Sequence, residues 1–390
     1  MTQTQSPRPP LAGVTVLEIG AHMAAPFATM QMADLGARVI KIENPEGGDP
    51  VRSTGPFVNG ESSPFIRLNR NKESVTLDLK TEQGNAAFRR LARTADVVVQ
   101  NLRPGAMGRL GLGYEALREI NPRLVYASVS GWGQDGPLAG YAGLDIMAQA
   151  RSGLMSITGH PGGEPAKVGV PMCDLTCGLY VALAVTAALR ECAASGEGQH
   201  IDVSLMEAGV SYAVWEAGMY FGDGTVPGPH GSAHQTSAPY QAVRTIDGFV
   251  TVGATTPKNW AAFCEVFGLD DLLDDDRFAD GYHRVQNREV LIELIERATT
   301  QRTTADIIAA LDAVGVPCAP INDYTQVFAD PVLNERGFFW DADHPTTGPV
   351  RQLGSPMRFS RTPTVRDHAG PTLGDATDVV LAEIAAEDNR

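Results

Sequence analysis

Short apolar runs alternate with amphipathic stretches over the first 130 residues, and this alternation constrains the fold more than any other feature of the chain. The apolar runs have the length and composition of buried strands: residues 14–20, 37–43, 96–100 and 124–130. Helical patterns lie between them, from Pro26 to Leu35, from an N-cap at Thr81 to about Ala95, and from Tyr114 to Ile120. Strands that are connected by helices pair in parallel. We therefore predict an α/β fold whose large domain is a doubly wound, Rossmann-like parallel sheet, with ligands bound beyond the carboxyl ends of the strands.

The sequence changes character near Phe221. Residues 222–237 are dense in Gly, Pro, His and Ser and predict a long loop. The Asp247-Gly248 turn between apolar runs predicts an antiparallel hairpin, followed by helices at 260–267, 288–299 and 304–314 and a strand at 317–321. We expect a large domain that begins with residues 1–220, a smaller α+β domain over 221–319, and a C-terminal return to the large domain over 320–390.

Composition restricts the classes of function. The 390 residues are 43% hydrophobic and 20% charged, as expected for a globular protein with a substantial core. The 46 acidic and 31 basic residues give a formal net charge of −15, so nucleic acid is not an expected partner. The five cysteines form no C-x-x-C pair, which argues against a disulfide framework or a zinc site. We expect no metal, and buried thiols at Cys173 and Cys177.

Neither a secretion signal nor a membrane span is predicted. Residues Met1 to Pro10 are polar and rich in proline. The longest apolar segment, Leu175 to Leu189, is shorter than the roughly 20 residues that cross a bilayer. We expect it to be a buried core helix of a cytoplasmic protein that does not bind membranes.

Asp174 stands immediately before that apolar segment, which allows two interpretations. Asp is a favoured N-cap, because its oxygen accepts the free N–H groups of the first helical turn. A carboxylate at the edge of a partly dehydrated pocket could also attack an activated acyl carbon as a nucleophile. The local sequence favours the cap and leaves the nucleophile open.

Residues 14–43 form a predicted βαβ unit whose second strand ends with an acidic residue, Glu43. This arrangement suggests dinucleotide binding. The turn after Gly20 reads Ala-His-Met-Ala-Ala-Pro and lacks the glycines that let a backbone approach a pyrophosphate. No phosphate-binding loop of the G-x-x-x-x-G-K-[ST] type is present, and neither is an H-E-x-x-H or a G-x-S-x-G segment. The sequence therefore argues against an NAD-dependent dehydrogenase, a zinc protease and an α/β-hydrolase.

A series of segments in order along the chain resembles the family III CoA-transferases, the CaiB/BaiF type that includes formyl-CoA:oxalate CoA-transferase. The segments are residues 17–20 with 24–26, 36–43, 47–49, 69–72, 77–80, 101–105, 145–150, 153–159, Asp174, 238–241 and 315–320. The resemblance implies an interlocked homodimer that binds CoA on the large domain and holds no permanent cofactor. Its partners would be an acyl-CoA donor and a carboxylic acid acceptor.

In the family's mechanism, the aspartate that corresponds to Asp174 attacks the donor thioester and releases CoA. The resulting aspartyl anhydride exchanges with the acceptor acid and returns to CoA. The residues implied to contact CoA are Met23, Ala24, Asn44, Leu77, Lys80, Asn101, Leu102, Arg103, Arg109, Ala142 and Asp145. Asn44 stands where the oxalate enzyme has an arginine, and Ala142 and Leu144 replace polar residues of that enzyme.

Two other functions fit the same resemblance. An α-methylacyl-CoA racemase needs two opposed acid–base groups, and the histidine of its Gly-His-Asp segment is Leu144 here, which cannot transfer a proton. We expect His160 to be a surface loop residue that does not replace it. A non-catalytic acyl-CoA binding protein would use Asp174 only as a cap. We further expect residues 228–235 to contribute to the acceptor pocket, with His230 or His234 available to a carboxylate.

Overall fold

The computed structural model describes residues 8–387, so most of the polar stretch Met1 to Pro10 lies outside the described residues. The strands are β1 Thr15–Ile19, β2 Arg38–Glu43, β3 Phe57–Val58, β4 Glu61–Ser62, β5 Lys72–Thr76, β6 Val97–Gln100, β7 Val125–Ser130, β8 His200–Ser204, β9 Tyr240–Arg244, β10 Phe249–Gly253, β11 Cys318–Pro320, β12 Phe339–Ala342 and β13 Val350–Leu353. The helices are α1 Ala24–Asp34, α2 Ser63–Leu68, α3 Glu82–Thr94, α4 Ala106–Arg109, α5 Tyr114–Arg118, α6 Asp145–Arg151, α7 Leu154–Ile157, α8 Met172–Ser195, α9 Leu205–Val210, α10 Val214–Asp223, α11 Pro257–Phe267, α12 Gly281–Gln286, α13 Arg288–Thr299, α14 Thr304–Ala313, α15 Tyr324–Ala329, α16 Pro331–Glu335 and α17 Thr377–Glu387.

Six strands form one sheet in the order β5-β2-β1-β6-β7-β8, and every neighbouring pair is parallel. The chain runs outward from β1 to β5 on one side and from β6 to β8 on the other, which is the doubly wound order with its switch point between β1 and β6. The prediction of a doubly wound parallel sheet is confirmed. The edge strands β5 and β8 were not predicted, because their sequences, Lys-Glu-Ser-Val-Thr and His-Ile-Asp-Val-Ser, mix charged and apolar residues.

Apolar residues that alternate along the strands build a core on each face of this sheet. On one face Val16 and its neighbours pack with α1 and α8. On the other face Leu17 and its neighbours pack with α3 and α17. Thr81 caps α3 as predicted, since its hydroxyl accepts from the backbone N–H of Gly84 at 3.1 Å. With helices on both faces, the carboxyl edge of the sheet is left to form a site.

Helix α8 is longer than predicted, with 24 residues, and by length and composition alone it could cross a membrane. One side of it is buried in the sheet core through Cys173, Cys177, Val181 and Val185, as expected for a core helix. The helix ends at Ser195, and its C-cap Gly196 adopts φ +85°, a left-handed conformation that is common after a helix. Helix α8 therefore packs in the core on the Val16 face of the sheet, and its first turn lies near the carboxyl edge of the sheet, where α1 also begins.

The described residues group into two compact units. The first takes in the chain up to Met155, Lys167–Thr225 and the chain from Val332 onward, and the second takes in Ser156–Ala166 and Val226–Pro331. In the second unit β9, β10 and β11 form an antiparallel sheet in the order β11-β10-β9, with a core shared by α11, α13 and α14. The predicted hairpin at Asp247-Gly248 is confirmed by the β9–β10 pair.

Candidate active site

The carboxylate of Asp174 lies in the first turn of α8. The prediction that Asp174 is the N-cap is wrong: the helix begins at Met172, its N-cap is Pro171, and Pro171 makes no side-chain cap bond. The first helical hydrogen bond runs from the N–H of Leu175 to the carbonyl of Pro171 at 3.0 Å. Asp174 is therefore the third helical residue, and it is half-buried. Within residues 8–387, no group donates a hydrogen bond to its carboxylate.

Asp145 supplies the cap that the sequence assigned to Asp174. It is the first residue of α6, and its Oδ1 accepts from the backbone N–H of Cys173 at 2.9 Å and of Asp174 at 3.3 Å. Its Oδ2 accepts from Nε2 of the buried Gln149 at 2.7 Å. Gln149 in turn accepts from the backbone N–H of Val168 at 2.9 Å. A carboxylate from another helix thus fixes the start of α8, and the side chain of Asp174 remains available for chemistry.

Burial and a neighbouring negative charge both favour the protonated form of Asp174. Burial, and after it the charge of Asp145, raise the pKa of Asp174 from its ordinary 3.8 to about 7. Hydrogen bonds to the charged form would lower this pKa, but the α8 amides donate to Asp145 instead. A carboxyl group with a pKa near 7 is present in both forms at neutral pH, and perturbed carboxyl groups of this kind cluster at functional sites.

The neighbouring thiols do not compete with this carboxylate. Cys173 and Cys177 are buried, as predicted. Burial raises the pKa of Cys173 to about 11 and the pKa of Cys177 further still. A thiol is nucleophilic only as its thiolate, so both cysteines stay inert at neutral pH.

A pocket of about 260 Å³ opens at the carboxyl ends of β1, β2, β5 and β6. Its wall is mostly apolar and includes Ile19, Ile42, Leu77, Leu79, Leu102 and Leu110. Four of the residues that were predicted to contact CoA line it, namely Asn44, Leu77, Lys80 and Leu102. The location agrees with the rule that ligands of doubly wound sheets bind beyond the strand ends.

The loop between β1 and α1 reaches from this pocket to α8. Gly20 and Ala21 line the pocket. The half-buried Met23 is the N-cap of α1, and the buried Ala24 is its first residue. A Cβ added to Gly178 would lie 2.8 Å from the carbonyl oxygen of Ala24, so only glycine lets α8 approach α1 this closely. Gly178 is one helical turn beyond Asp174, and this approach brings the loop next to the first turns of α8.

The other residues predicted to contact CoA are not part of the wall of this pocket. Asn101 holds the loop: its Oδ1 accepts from the N–H of Ala21 at 2.9 Å, and its Nδ2 donates to the carbonyl of Ala21 at 2.7 Å. Arg103 and Arg109 are exposed in the segment that follows β6. Ala142 is exposed, and its carbonyl accepts from Nε1 of Trp132 at 3.3 Å.

Comparison with known proteins decides the family. Residues 11–377 match the family described as CoA-transferase family III. The chain is 38% identical to the succinate–glutarate CoA-transferase of Agrobacterium fabrum, over 98% of each chain, and 37% identical to the succinyl-CoA:glutarate CoA-transferase of Homo sapiens, over 98% of this chain and 87% of the human one. The crystal structure of a CaiB/BaiF family protein from Brucella suis superposes with a TM-score of 0.88 at 38% identity and covers 97% of this chain and 100% of that one. The chain belongs to CoA-transferase family III.

The resemblance that the sequence motifs carried is thereby confirmed. As a family III CoA-transferase, the chain is an enzyme that moves CoA between an acyl-CoA and a carboxylic acid. Glu43, which suggested dinucleotide binding, instead accepts hydrogen bonds from Arg52, from Ser74 and from the N–H of Asp49. Within residues 8–387, no group of three or more His, Cys, Asp or Glu side chains is placed to hold a metal ion.

The histidines considered in this CoA-transferase all lie in its second unit. His160 is exposed in a loop, as predicted, and sits against Gly231. His230 is exposed and lines an 820 Å³ cavity of that unit. The ring of His234 stacks on Tyr240 at 4.9 Å, and its Nδ1 accepts from the N–H of Thr236 at 3.2 Å. The assignment of His230 or His234 to the acceptor pocket stays a prediction.

The family III CoA-transferase also contains a set of buried charges that the sequence did not predict. Glu18, Lys41 and Lys72 are fully buried in β1, β2 and β5, and they are joined by ion pairs beneath the β1–α1 loop. A signal was present: Glu18 is the one charged residue of β1, and Lys41 stands between two isoleucines of β2. Such residues are almost never fully buried unless they are paired.

Proposed function

We propose that Asp174 carries out CoA transfer as a covalent nucleophile, with succinyl-CoA as the donor and a dicarboxylate of the size of glutarate as the acceptor. One observation supports the mechanism above all. The Asp174 carboxylate is half-buried, accepts no hydrogen bond from the described residues 8–387, and lies at a helix start whose amides donate to Asp145. The substrate class is supported by the two relatives that are named for succinate or succinyl-CoA and glutarate.

The reaction begins when an oxygen of ionised Asp174 attacks the thioester carbonyl carbon of the donor. The C–S bond breaks, CoA leaves as a thiolate, and a mixed anhydride joins Asp174 to the donor acyl group. The thiolate then attacks the Asp174 carbonyl carbon and releases the donor acid, which leaves CoA on Asp174 as a thioester. The acceptor carboxylate repeats these steps in reverse, forms its own mixed anhydride, and takes up CoA as Asp174 returns to a carboxylate. Each intermediate keeps the activation of the thioester as long as water is excluded.

CoA occupies the pocket at the carboxyl ends of the sheet strands in this proposal. The apolar wall around Leu77 and Leu102 accommodates the adenine, and the exposed Lys80, Arg103 and Arg109 meet the phosphates with positive charge. The pantetheine runs past Met23 and Ala24 toward α8, because that loop connects the pocket with the first turns of this helix. Asn44, Asn101, Ala142 and Asp145 complete the proposed contacts.

A racemase needs a second acid–base group opposite Asp174. Leu144 occupies the place of the racemase histidine and carries no proton. Asp145 next to it is occupied with the amides of Cys173 and Asp174 and the side chain of Gln149. These contacts support transfer over racemisation. A binding protein without catalysis would gain nothing from an Asp174 whose charge is disfavoured by its surroundings.

We infer that the enzyme is an interlocked homodimer in the cytoplasm. Large apolar side chains are exposed on the outer side of α8 and on α10, including Leu183 at 66%, Val214 at 74% and Phe221 at 83%. Monomers rarely expose such surfaces, which supports a partner subunit that covers them. The absence of disulfides among the five free cysteines fits a reducing compartment. Light scattering after size exclusion tests the dimer, and a monomeric mass contradicts it.

Electrospray mass spectrometry tests the mechanism. Brief incubation with succinyl-CoA leaves an acyl or CoA adduct on the peptide that contains Asp174, and hydroxylamine removes it. The Asp174→Asn variant forms no adduct, whereas a variant of the exposed Asp306, at the same position of α14, forms it normally. Complete turnover by Asp174→Asn overturns the covalent role, and deuterium uptake at the α-carbon of a 2-methylacyl-CoA without an adduct favours a racemase.

The acceptor is tested with succinyl-CoA and the series malonate, glutarate, adipate and butyrate. We expect kcat/KM to be greatest for glutarate and at least tenfold lower for butyrate, which lacks the second carboxylate. Equal rates for butyrate and glutarate contradict a dicarboxylate site. His230→Ala and His234→Ala then show whether either histidine contributes to this preference.

A further inference from the structure

A buried set of ion pairs lies under the β1–α1 loop and has no part in the mechanism above. Nζ of Lys41 lies 2.6 Å from Oε1 of Glu18 and 2.9 Å from Oδ2 of Asp49. Nζ of Lys72 lies 2.8 Å from Oε2 of Glu18. The hydroxyl of Thr29 donates to the same Oε2 at 2.5 Å. The two carboxylates and two ammonium groups balance in charge and are all removed from solvent.

Stability alone does not account for this set. Removing charges from water is costly, and well-packed apolar residues of similar size usually serve a core as well or better. Burial by itself would raise the pKa of Glu18, but Lys41 and Lys72 overcome this and lower the pKa to about 2, so Glu18 is charged at any working pH. Burial lowers the pKa of Lys72 to about 8, which still leaves this lysine mostly charged at neutral pH. The further contacts of the two lysines indicate what these buried charges do.

Both lysines also donate to the backbone of residues 20–26, which comprise the β1–α1 loop and the first three residues of α1. Nζ of Lys41 donates to the carbonyl of Gly20 at 2.8 Å, and Nζ of Lys72 donates to the carbonyl of Pro26 at 2.8 Å. These two carbonyls stand at the two ends of the segment 20–26. Glu18 pairs with both ammonium groups. One buried carboxylate thus connects the carbonyl of Gly20 with that of Pro26 through the two lysines.

The middle of the same segment is held in an unusual conformation. His22 has φ +63°, a left-handed value that is uncommon for residues other than glycine. Its N–H donates to Oδ1 of Asp49 at 3.2 Å, and Asp49 is itself paired with Lys41. Such a conformation persists only where the surroundings fix it. The buried charges thus restrain the loop at both ends and near its middle.

We propose that Glu18, Lys41 and Lys72 are positioning residues that hold the segment 20–26 in the geometry that binds CoA. The inference rests on the CoA site proposed above, in which Met23 and Ala24 lie along the pantetheine. The segment connects the pocket, which Gly20 lines, to α8, which Ala24 contacts at Gly178. Without this restraint the segment no longer holds the pocket and α8 at the distance that CoA spans. The affinity for CoA therefore falls more than kcat does.

Single substitutions leave a buried charge without its partner and can prevent folding. The informative variant is the double substitution Glu18→Leu with Lys72→Met, which removes one opposite pair and keeps Lys41 paired with Asp49. The matched control is Arg38→Met with Glu73→Leu, which removes a half-exposed pair between β2 and β5 of the same sheet without touching the loop. Both variants are compared with wild type by thermal melting, by titration calorimetry with CoA, and by kinetics.

We expect the Glu18/Lys72 double variant to fold with a melting temperature near wild type, to bind CoA at least tenfold more weakly, and to show a raised KM for succinyl-CoA with a smaller change in kcat. The control variant binds CoA as wild type does. Normal CoA affinity in a folded double variant overturns the inference and leaves the proposed CoA site intact. If wild type itself does not bind CoA, the proposed site fails instead, so the two failures are distinguishable. A double variant that does not fold is replaced by Lys72→Arg, for which unchanged CoA affinity likewise counts against the inference.

Discussion

Replacement of Asp174 by asparagine should make the protein more stable, and by an amount that depends on pH. Asparagine keeps the shape of the side chain and removes its titration. The pKa of Asp174 is about 7 in the folded protein, against an ordinary value of 3.8 that is expected when the chain is unfolded. Between these two pH values the folded protein binds a proton that the unfolded chain has released. The free energy of unfolding of wild type therefore falls as the pH rises through this window.

The size of the effect follows from the two pKa values. Each pKa unit corresponds to about 1.4 kcal/mol, so the interval from 3.8 to about 7 gives about 4 kcal/mol. Near pH 4 Asp174 is neutral in the folded protein, and the two proteins should be equally stable. Above pH 7 the carboxylate is ionised in a half-buried site whose amides donate to Asp145. There Asp174→Asn should be more stable by up to about 4 kcal/mol.

Urea unfolding at equal protein concentration and at pH 5, 6, 7 and 8 measures this difference. Groups that lie away from Asp174 titrate alike in the two proteins, so their contributions cancel when wild type is subtracted. The control is Asp306→Asn, because Asp306 is also the third residue of its helix but is exposed. Its charge interacts favourably with the helix dipole, so its replacement should lower stability by up to about 1 kcal/mol. A difference between Asp174→Asn and wild type that is zero at every pH would refute the argument.

Three further predictions concern the same site. The value of kcat/KM should rise with pH and level off above a midpoint near 7, since only ionised Asp174 attacks; a flat profile from pH 5 to 9 contradicts this role. Asp145→Asn removes the second cause of the raised pKa, so the midpoint should move to lower pH but stay above 3.8, because burial remains; an unchanged midpoint shows that Asp145 exerts no charge effect. Gly178→Ala places a Cβ 2.8 Å from the carbonyl of Ala24, and it should lower stability by about 1–3 kcal/mol and weaken CoA binding; a wild-type melting temperature speaks against the close packing of α1 and α8.

Much of the fold could be predicted because its signals are local. Residues 14–20, 37–43, 96–100 and 124–130 are apolar enough to identify the central strands β1, β2, β6 and β7, and helices between them require parallel pairing. The edge strands β5 and β8 escaped prediction because charged residues break their apolar pattern. Lys72, the first residue of β5, is nevertheless buried, since Glu18 from β1 neutralises it. The partner is 54 positions away, and no local pattern indicates it.

The candidate site, like the fold, could be predicted from the sequence only in part. Asp174 could be singled out from its place before an apolar segment and from the family resemblance. Its position within the helix could not, because the start of α8 depends on a cap from Asp145, 28 and 29 residues earlier in the chain. Sequence reasoning placed the cap on the nearest acidic residue. The tertiary structure gives the cap to Asp145, and among the described residues no group donates a hydrogen bond to the side chain of Asp174.

The sequence by itself determined the kind of fold and the family and made Asp174 the candidate carboxylate, because these depend on apolar periodicity and on residue types at fixed places along the chain. Only the tertiary structure decided the protonation of Asp174, the close approach of α1 to α8 at Gly178, and the charged set around Glu18 that restrains the segment 20–26. Each of these arises from burial and from contacts between residues that are distant in sequence, and both exist only once the chain has folded.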